Sequence, residues 1–139
     1  MKMLLGLSVV ASVGLWVPAM AQERDFRPPS ATEVFNLRSK CAELGEKILK
    51  QSGYLYDVLS HYDVRTNRCY VELTEHSLQE NIHDRYLYDG QTKEILAHAA
   101  RVKDKREGAI YDKQRNPTGN AGYYEADKYI DEMMAEDRK

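Results

Sequence analysis

Between residues 30 and 53, Val34, Leu37, Cys41, Leu44 and Ile48 recur at spacings of three and four, with Phe35, Ala42 and Leu49 widening the stripe. That spacing is one face of an amphipathic helix. Ser30, followed three residues later by Glu33, is the signature of a capping box at its start, and Gly53 suits its end. The period then shortens to two. Residues 54–62 and 69–74 are rich in aromatic and β-branched side chains and flank turn residues at 63–67, so they predict a β-hairpin. Its second strand carries Cys69, Val71 and Leu73 on one face and Tyr70 and Glu72 on the other. Residues 86–88 and 94–102, joined through Asp89-Gly90, predict a second hairpin. The alanines of EILAHAAR also suit a helix, but its place just after a strand and an Asp-Gly turn favours β. Arg101, Lys103 and Lys105 fall on one side of its end, where charge protects a sheet edge. A polar interval at 75–85 separates the hairpins. Residues 104–122, with Gly108, Pro117, Gly119 and Gly122, read as a long surface connection with a short strand only at 109–111. Tyr123, Ala126, Ile130 and Met133 then form a second helical stripe. The predicted class is α+β: an N-terminal helix, two antiparallel hairpins making a small sheet, and a C-terminal helix packed beside the first.

The most hydrophobic segment lies before this pattern begins. Lys2, an apolar run to about Val17, and Ala19 and Ala21 before Gln22 have the layout of a secretory signal with an A-x-A cleavage site between Ala21 and Gln22. Pro18 and the charged residues from Glu23 cut the run short of the roughly 20 apolar residues of a spanning helix. Cleavage there leaves a charged leader at 22–29 and one domain at 30–139, with no further stretch of membrane-spanning length. With Lys2 gone, the formal charge is one unit more negative than the −2 of the full chain. An acidic balance disfavours nucleic acid, which selects a basic footprint.

Export also changes the meaning of the two cysteines, Cys41 and Cys69. In an oxidising compartment they are expected to pair, and both periodicities turn them inward, so the bridge would join helix to sheet. Ten tyrosines stand against two phenylalanines and one tryptophan, and the tryptophan lies within the signal. Tyrosine suits half-buried sheet positions, and an aromatic binding face for peptide or glycan is the functional counterpart of that packing role.

The stretches SHYDVRTNRCYVEL, RYLYDGQTKEILA and YYEADKYIDEMMAED resemble a group of small exported bacterial proteins with an HY(N/D)…NRCYV…LYDG-type pattern. The resemblance spans most of the chain after the signal. It implies one domain, export from a bacterium and a role for Cys69, and it carries over no catalytic residue.

Candidate chemistry is sparse. His76, Glu80 and His83 would share one face if their segment were helical, a spacing that can hold zinc, although H-E-x-x-H is absent, the segment is only about two turns long, and a solvated connector is the plainer reading. His61, with Asp63 two residues on, invites a general-base role, and His98 in an apolar run reads as a half-buried packing residue. No nucleophile elbow, P-loop or dinucleotide fingerprint is present, so no cofactor is expected. Three readings follow. The first is a binding or interaction module with an unknown protein or small-molecule partner in the bacterial envelope, using tyrosines on an open sheet face or the 104–122 segment. The second is a small exported hydrolase or metal-dependent enzyme using His61 or His76/Glu80/His83. The third is a ligand carrier with a pocket between sheet and helices.

Overall fold

The computed structural model describes residues 27–53, 55–77, 81–119 and 121–135. The proposed signal and most of the leader lie outside them. The elements run α1 (Ala31–Ser52), β1 (Asp57–Asp63), β2 (Arg68–Ser77), β3 (Ile82–Asp89), β4 (Ile95–Val102), β5 (Lys105–Ile110) and α2 (Tyr123–Met134). The class is α+β, with the sheet between an N-terminal and a C-terminal helix. All five strands are antiparallel to their neighbours and lie in chain order, β1-β2-β3-β4-β5.

Helix α1 begins where the sequence places it. The Glu33 amide donates to Ser30 Oγ at 3.3 Å while the Ser30 amide donates to Glu33 Oε2 at 2.7 Å, satisfying two otherwise orphaned donors. The Ser30 hydroxyl, donating to Glu33 Oε2 at 2.7 Å, and then the Ser30 amide hold the Glu33 carboxyl below the usual carboxylate range. Cys41, Gly45 and Ile48 are buried against the sheet, and Gly53, at φ +97°, ends the helix. Gly45 allows close packing, because a β-carbon there would lie 3.3 Å from Val58 Cγ2. Phe35 and Ala42, counted in the sequence stripe, are exposed. The reason is that α1 packs on β1 and β2 only, so a narrow strip of its surface is covered.

Alternation along the strands builds two cores, one on each side of the sheet. Cys69, Val71 and Leu73 of β2 join Cys41 and Ile48 of α1, while Tyr70 of β2 joins Leu87, Ala97 and Ala99 with Ala126 and Ile130 of α2. The helices therefore sit on opposite faces, and the expectation that α2 packs beside α1 is overturned. A sheet with apolar side chains on both faces requires cover on both, which one helix pair on a single side cannot supply.

Two stretches read as connections are strands. Residues 75–77 continue β2, and β3 starts at Ile82, making one long hairpin with His76 opposite His83 and Ser77 opposite Ile82. Residues 105–110 form a fifth strand rather than a loop with three β residues. Their Lys-Arg-Glu start hides the alternation, since it is exposed charge on an edge strand that pairs on one side only. The charge at the end of β4 is also rearranged. Arg101 lies opposite Arg106 and Val102 opposite Lys105, so Arg101 and Lys105 point to opposite faces, and Lys103 is in the intervening turn at φ +55°. Gly108 is needed where β5 meets α2: a β-carbon there would be 2.7 Å from the Gly122 carbonyl oxygen.

Candidate functional site

Cys41 and Cys69 form a disulfide with their α-carbons 5.4 Å apart. Both ends are buried, so the bond fastens α1 to β2. In the loop-entropy picture a closure of this length stabilises by about 3 to 4 kcal/mol. It leaves no free thiol among the described residues.

On the α1 face, α1 packs chiefly on β1 and β2, Tyr86 and Tyr88 of β3 border the α1-side core, and the rest of β3 to β5 lies beyond it. Register and alternation put Asp84, Tyr86 and Tyr88 of β3 on this face, next to Ala100 and His98 of β4 and Glu107 and Ala109 of β5. A bulge between Leu87 and Tyr88 in the β3–β4 ladder sets Ile95 opposite Tyr88. Ile95 is thereby turned to this face, 37% exposed, while the extra residue, Leu96, packs against the α2-side core.

The centre of this half of the face is aromatic. The Tyr86 ring stacks on His98 with centroids 4.5 Å apart and 18° between planes, and Tyr56 meets Tyr86 edge-on at 6.0 Å and 85°. Burial, followed by the nearby carboxylate of Asp84, pushes the Tyr86 phenol up to about 12. Burial, then Glu75 and Asp84, also raises Tyr56. These phenols are hydrogen-bond donors throughout the physiological range. Asp84 Oδ1 and His98 Nε2 are buried with no hydrogen-bond partner among the described residues. An acceptor and an imidazole nitrogen left this way in a protein interior cost stability.

At the β3–β4 turn end, the same face continues into a cleft of about 290 Å³ lined by Tyr88, Lys93, Ile95, Tyr111 and Arg115. A second cleft, of about 360 Å³, shares Ile95 and Tyr111 and adds Arg68, Asp89 and Asp112. In it, Arg68 Nη1 is held by Asp89 Oδ2 at 2.9 Å, and the other Asp89 oxygen accepts from the Gln91 and Thr92 amides. Asp112 Oδ1 accepts the Gln114 and Asn116 amides. These carboxylates shape loops.

The opposite face holds the strongest ion cluster. Arg85, its side chain 13% exposed, donates to Glu72 Oε1 at 2.7 Å, Asp127 Oδ1 at 2.6 Å and Asp131 Oδ1 at 2.8 Å. Burial works against the guanidinium, but the hydrogen bonds to Glu72, Asp127 and Asp131 outweigh it and raise its pKa. Because Glu72 is on β2 and both aspartates are on α2, the cluster docks the helix to the sheet.

Of the histidines named from sequence, only His76 and His83 are brought together, and His61 and His98 lie apart from each other. His61 lies opposite Tyr70 on the α2 face, whereas His98 is on the α1 face. Asp63 Oδ1 accepts the Arg65 amide at 2.9 Å, forming the turn after β1. His76 and His83 are cross-strand partners on a β-ladder, so the helical spacing that united them with Glu80 does not exist. Glu80 lies outside the described residues, and no group of three metal-ligating side chains occurs among those described. Sequence reasoning passed over Asp84, Lys93 and Arg115. Only the register and the bulge bring them beside the tyrosines. No helix among the described residues is long and apolar enough to cross a membrane. No family model, curated protein or solved structure matches the chain.

Proposed function

We propose that this protein is an exported binding module of the bacterial envelope, one of the small exported proteins its HY…NRCYV…LYDG pattern resembles, and that it binds through the β3–β5 half of the sheet's α1 face. The signal-like residues 1–21 and the Cys41–Cys69 bridge support work outside the cytoplasm, since such bonds persist in oxidising compartments. The observation that carries the binding role is the Tyr56–Tyr86–His98 cluster beside two unpartnered buried atoms, Asp84 Oδ1 and His98 Nε2. Rigid aromatic rings give contact area at little entropic cost.

The test is affinity capture from bacterial envelope extract with immobilised wild-type protein, Tyr86→Ala and Asp84→Ala. A partner or metabolite retained by wild type and lost from both variants supports the reading. Equal retention by all three, with the variants folded, refutes it.

A further inference from the structure

We propose that the cleft at the β3–β4 turn end of this face is a subsite for an acidic group, carboxylate or phosphate, carried on an aromatic or apolar body. The inference rests on the open-face reading, to which it is joined through Tyr88.

The lining divides into two parts. Tyr88, Ile95 and Tyr111 form apolar walls, and Lys93 and Arg115 bring two positive charges to the same cleft of about 290 Å³. That volume matches the lower range of small-ligand pockets. Neither cation has an ion pair among the described residues, in contrast to Arg68 in the adjoining cleft, which is neutralised by Asp89. The nearest carboxylates in sequence are Glu94, beside Lys93, which accepts from the Thr92 hydroxyl at 3.2 Å, and Asp112, which accepts loop amides.

The backbone fixes where the two cations stand. Lys93 and Arg115 are both in the left-handed region, at φ +62° and +63°. A long side chain pays a conformational cost there that glycine or asparagine would avoid. Each is fixed by a turn bond, from Lys93 N to Asp89 O at 2.7 Å and from Arg115 N to Asp112 O at 3.0 Å. Two unrelated loops thus each fix a cation at one cleft, in a left-handed conformation that Lys103 in the β4–β5 turn also adopts. Ile95 belongs to the same device, because it reaches the cleft only through the bulge.

The test is titration of isotopically labelled protein, followed by amide NMR, with phenylacetate and phenyl phosphate. Acetate serves as the anion without a ring and phenethylamine as the ring with the opposite charge. Saturable shifts at Lys93, Ile95, Tyr111 and Arg115 with either aromatic anion, and at least tenfold weaker effects from acetate and phenethylamine, support the proposal. The tighter of the two anions identifies the group as carboxylate or phosphate. Lys93→Asn with Arg115→Asn removes both charges while suiting the left-handed backbone, and is expected to weaken binding at least tenfold with the spectrum otherwise retained. Absence of saturable shifts, or equal binding by phenethylamine, overturns it. So does capture of an envelope ligand that needs Tyr86 and Asp84 but is unchanged in the double asparagine variant, an outcome that leaves the open-face reading standing.

Discussion

Gly90 lies against Cys69 so closely that a β-carbon on it would be 2.6 Å from the disulfide sulfur, and its amide donates to the Cys69 carbonyl at 2.7 Å. The Asp-Gly turn and the disulfide are therefore one packed unit. Gly90→Ala must displace the sulfur or the turn, and is expected to cost about 1 to 3 kcal/mol, as overpacking does elsewhere. Urea unfolding of oxidised wild type and variant measures it, and an unchanged midpoint would show that the turn yields freely.

Opening the disulfide should cost more than crowding it. Cys41→Ser with Cys69→Ser removes the constraint on the unfolded chain and is expected to lower stability by about 3 to 4 kcal/mol. The comparison of unfolding midpoints between oxidised wild type and double variant checks this, and a loss under about 1 kcal/mol would mean that α1 is held to β2 mainly by Ile48 and its neighbours.

Arg85 and its carboxylates predict an asymmetric set of effects. Arg85→Ala strands the buried Glu72 and should cost about 3 to 5 kcal/mol, whereas Asp131→Asn, at an exposed position, should cost less than about 1 kcal/mol. Adding Glu72→Gln to Arg85→Ala should restore part of the loss, because a neutral amide is cheaper to bury than a carboxylate. Chemical denaturation of the four proteins decides the order.

Much of this architecture was legible in residue spacing. The Ser30–Glu33 cap marks a helix start by its hydrogen-bonding chemistry, while the Cys41–Ile48 stripe, the alternation around Cys69 and the Ala126–Ile130 stripe each record burial of one face, and burial leaves a period. Where side chains do not record burial, the reading stopped. Residues 75–77, 82–85 and 105–110 are strands because of backbone pairing across the sheet, with mostly charged or polar side chains that carry little alternation. The opposite placement of the helices is also a long-range fact. It can be inferred from Tyr70, whose ring faces away from Cys69 and needs its own cover, but only once Tyr70 is known to be buried. The cleft was least legible, since it depends on one bulge and two left-handed cations.

Alkaline pH should expose the environment of Tyr86. Its phenol ionises at about 12 in the folded protein, against an ordinary 10.0, so over that window the folded state holds a proton that the unfolded chain has released. Stability is therefore expected to fall as pH rises from 10 toward 12. Denaturation midpoints across this range, with Tyr86→Phe flattening the slope, check the sign, and a slope identical in the variant would assign it to other tyrosines.

His98→Phe offers a trade between stability and binding. Phenylalanine keeps a ring for Tyr86 to stack on and removes the buried Nε2 that has no partner among the described residues. Thermal unfolding should show a gain of about 1 kcal/mol, the desolvation cost of one unsatisfied polar group. The same variant should lose the captured partner of wild type. A destabilised His98→Phe protein would mean that the imidazole is structurally required.

The strand order described above also governs how the molecule assembles. Each strand pairs with the one just made, so no ladder waits for a distant segment, and loop closures remain short. For a chain delivered N-terminus first, α1, β1 and β2 form a unit that already contains both cysteines. The bridge can close before β3 to β5 are present, and the later strands then add one by one to a covalently fixed template. Helix α2 comes last, sealing the second face only when the sheet it covers is complete.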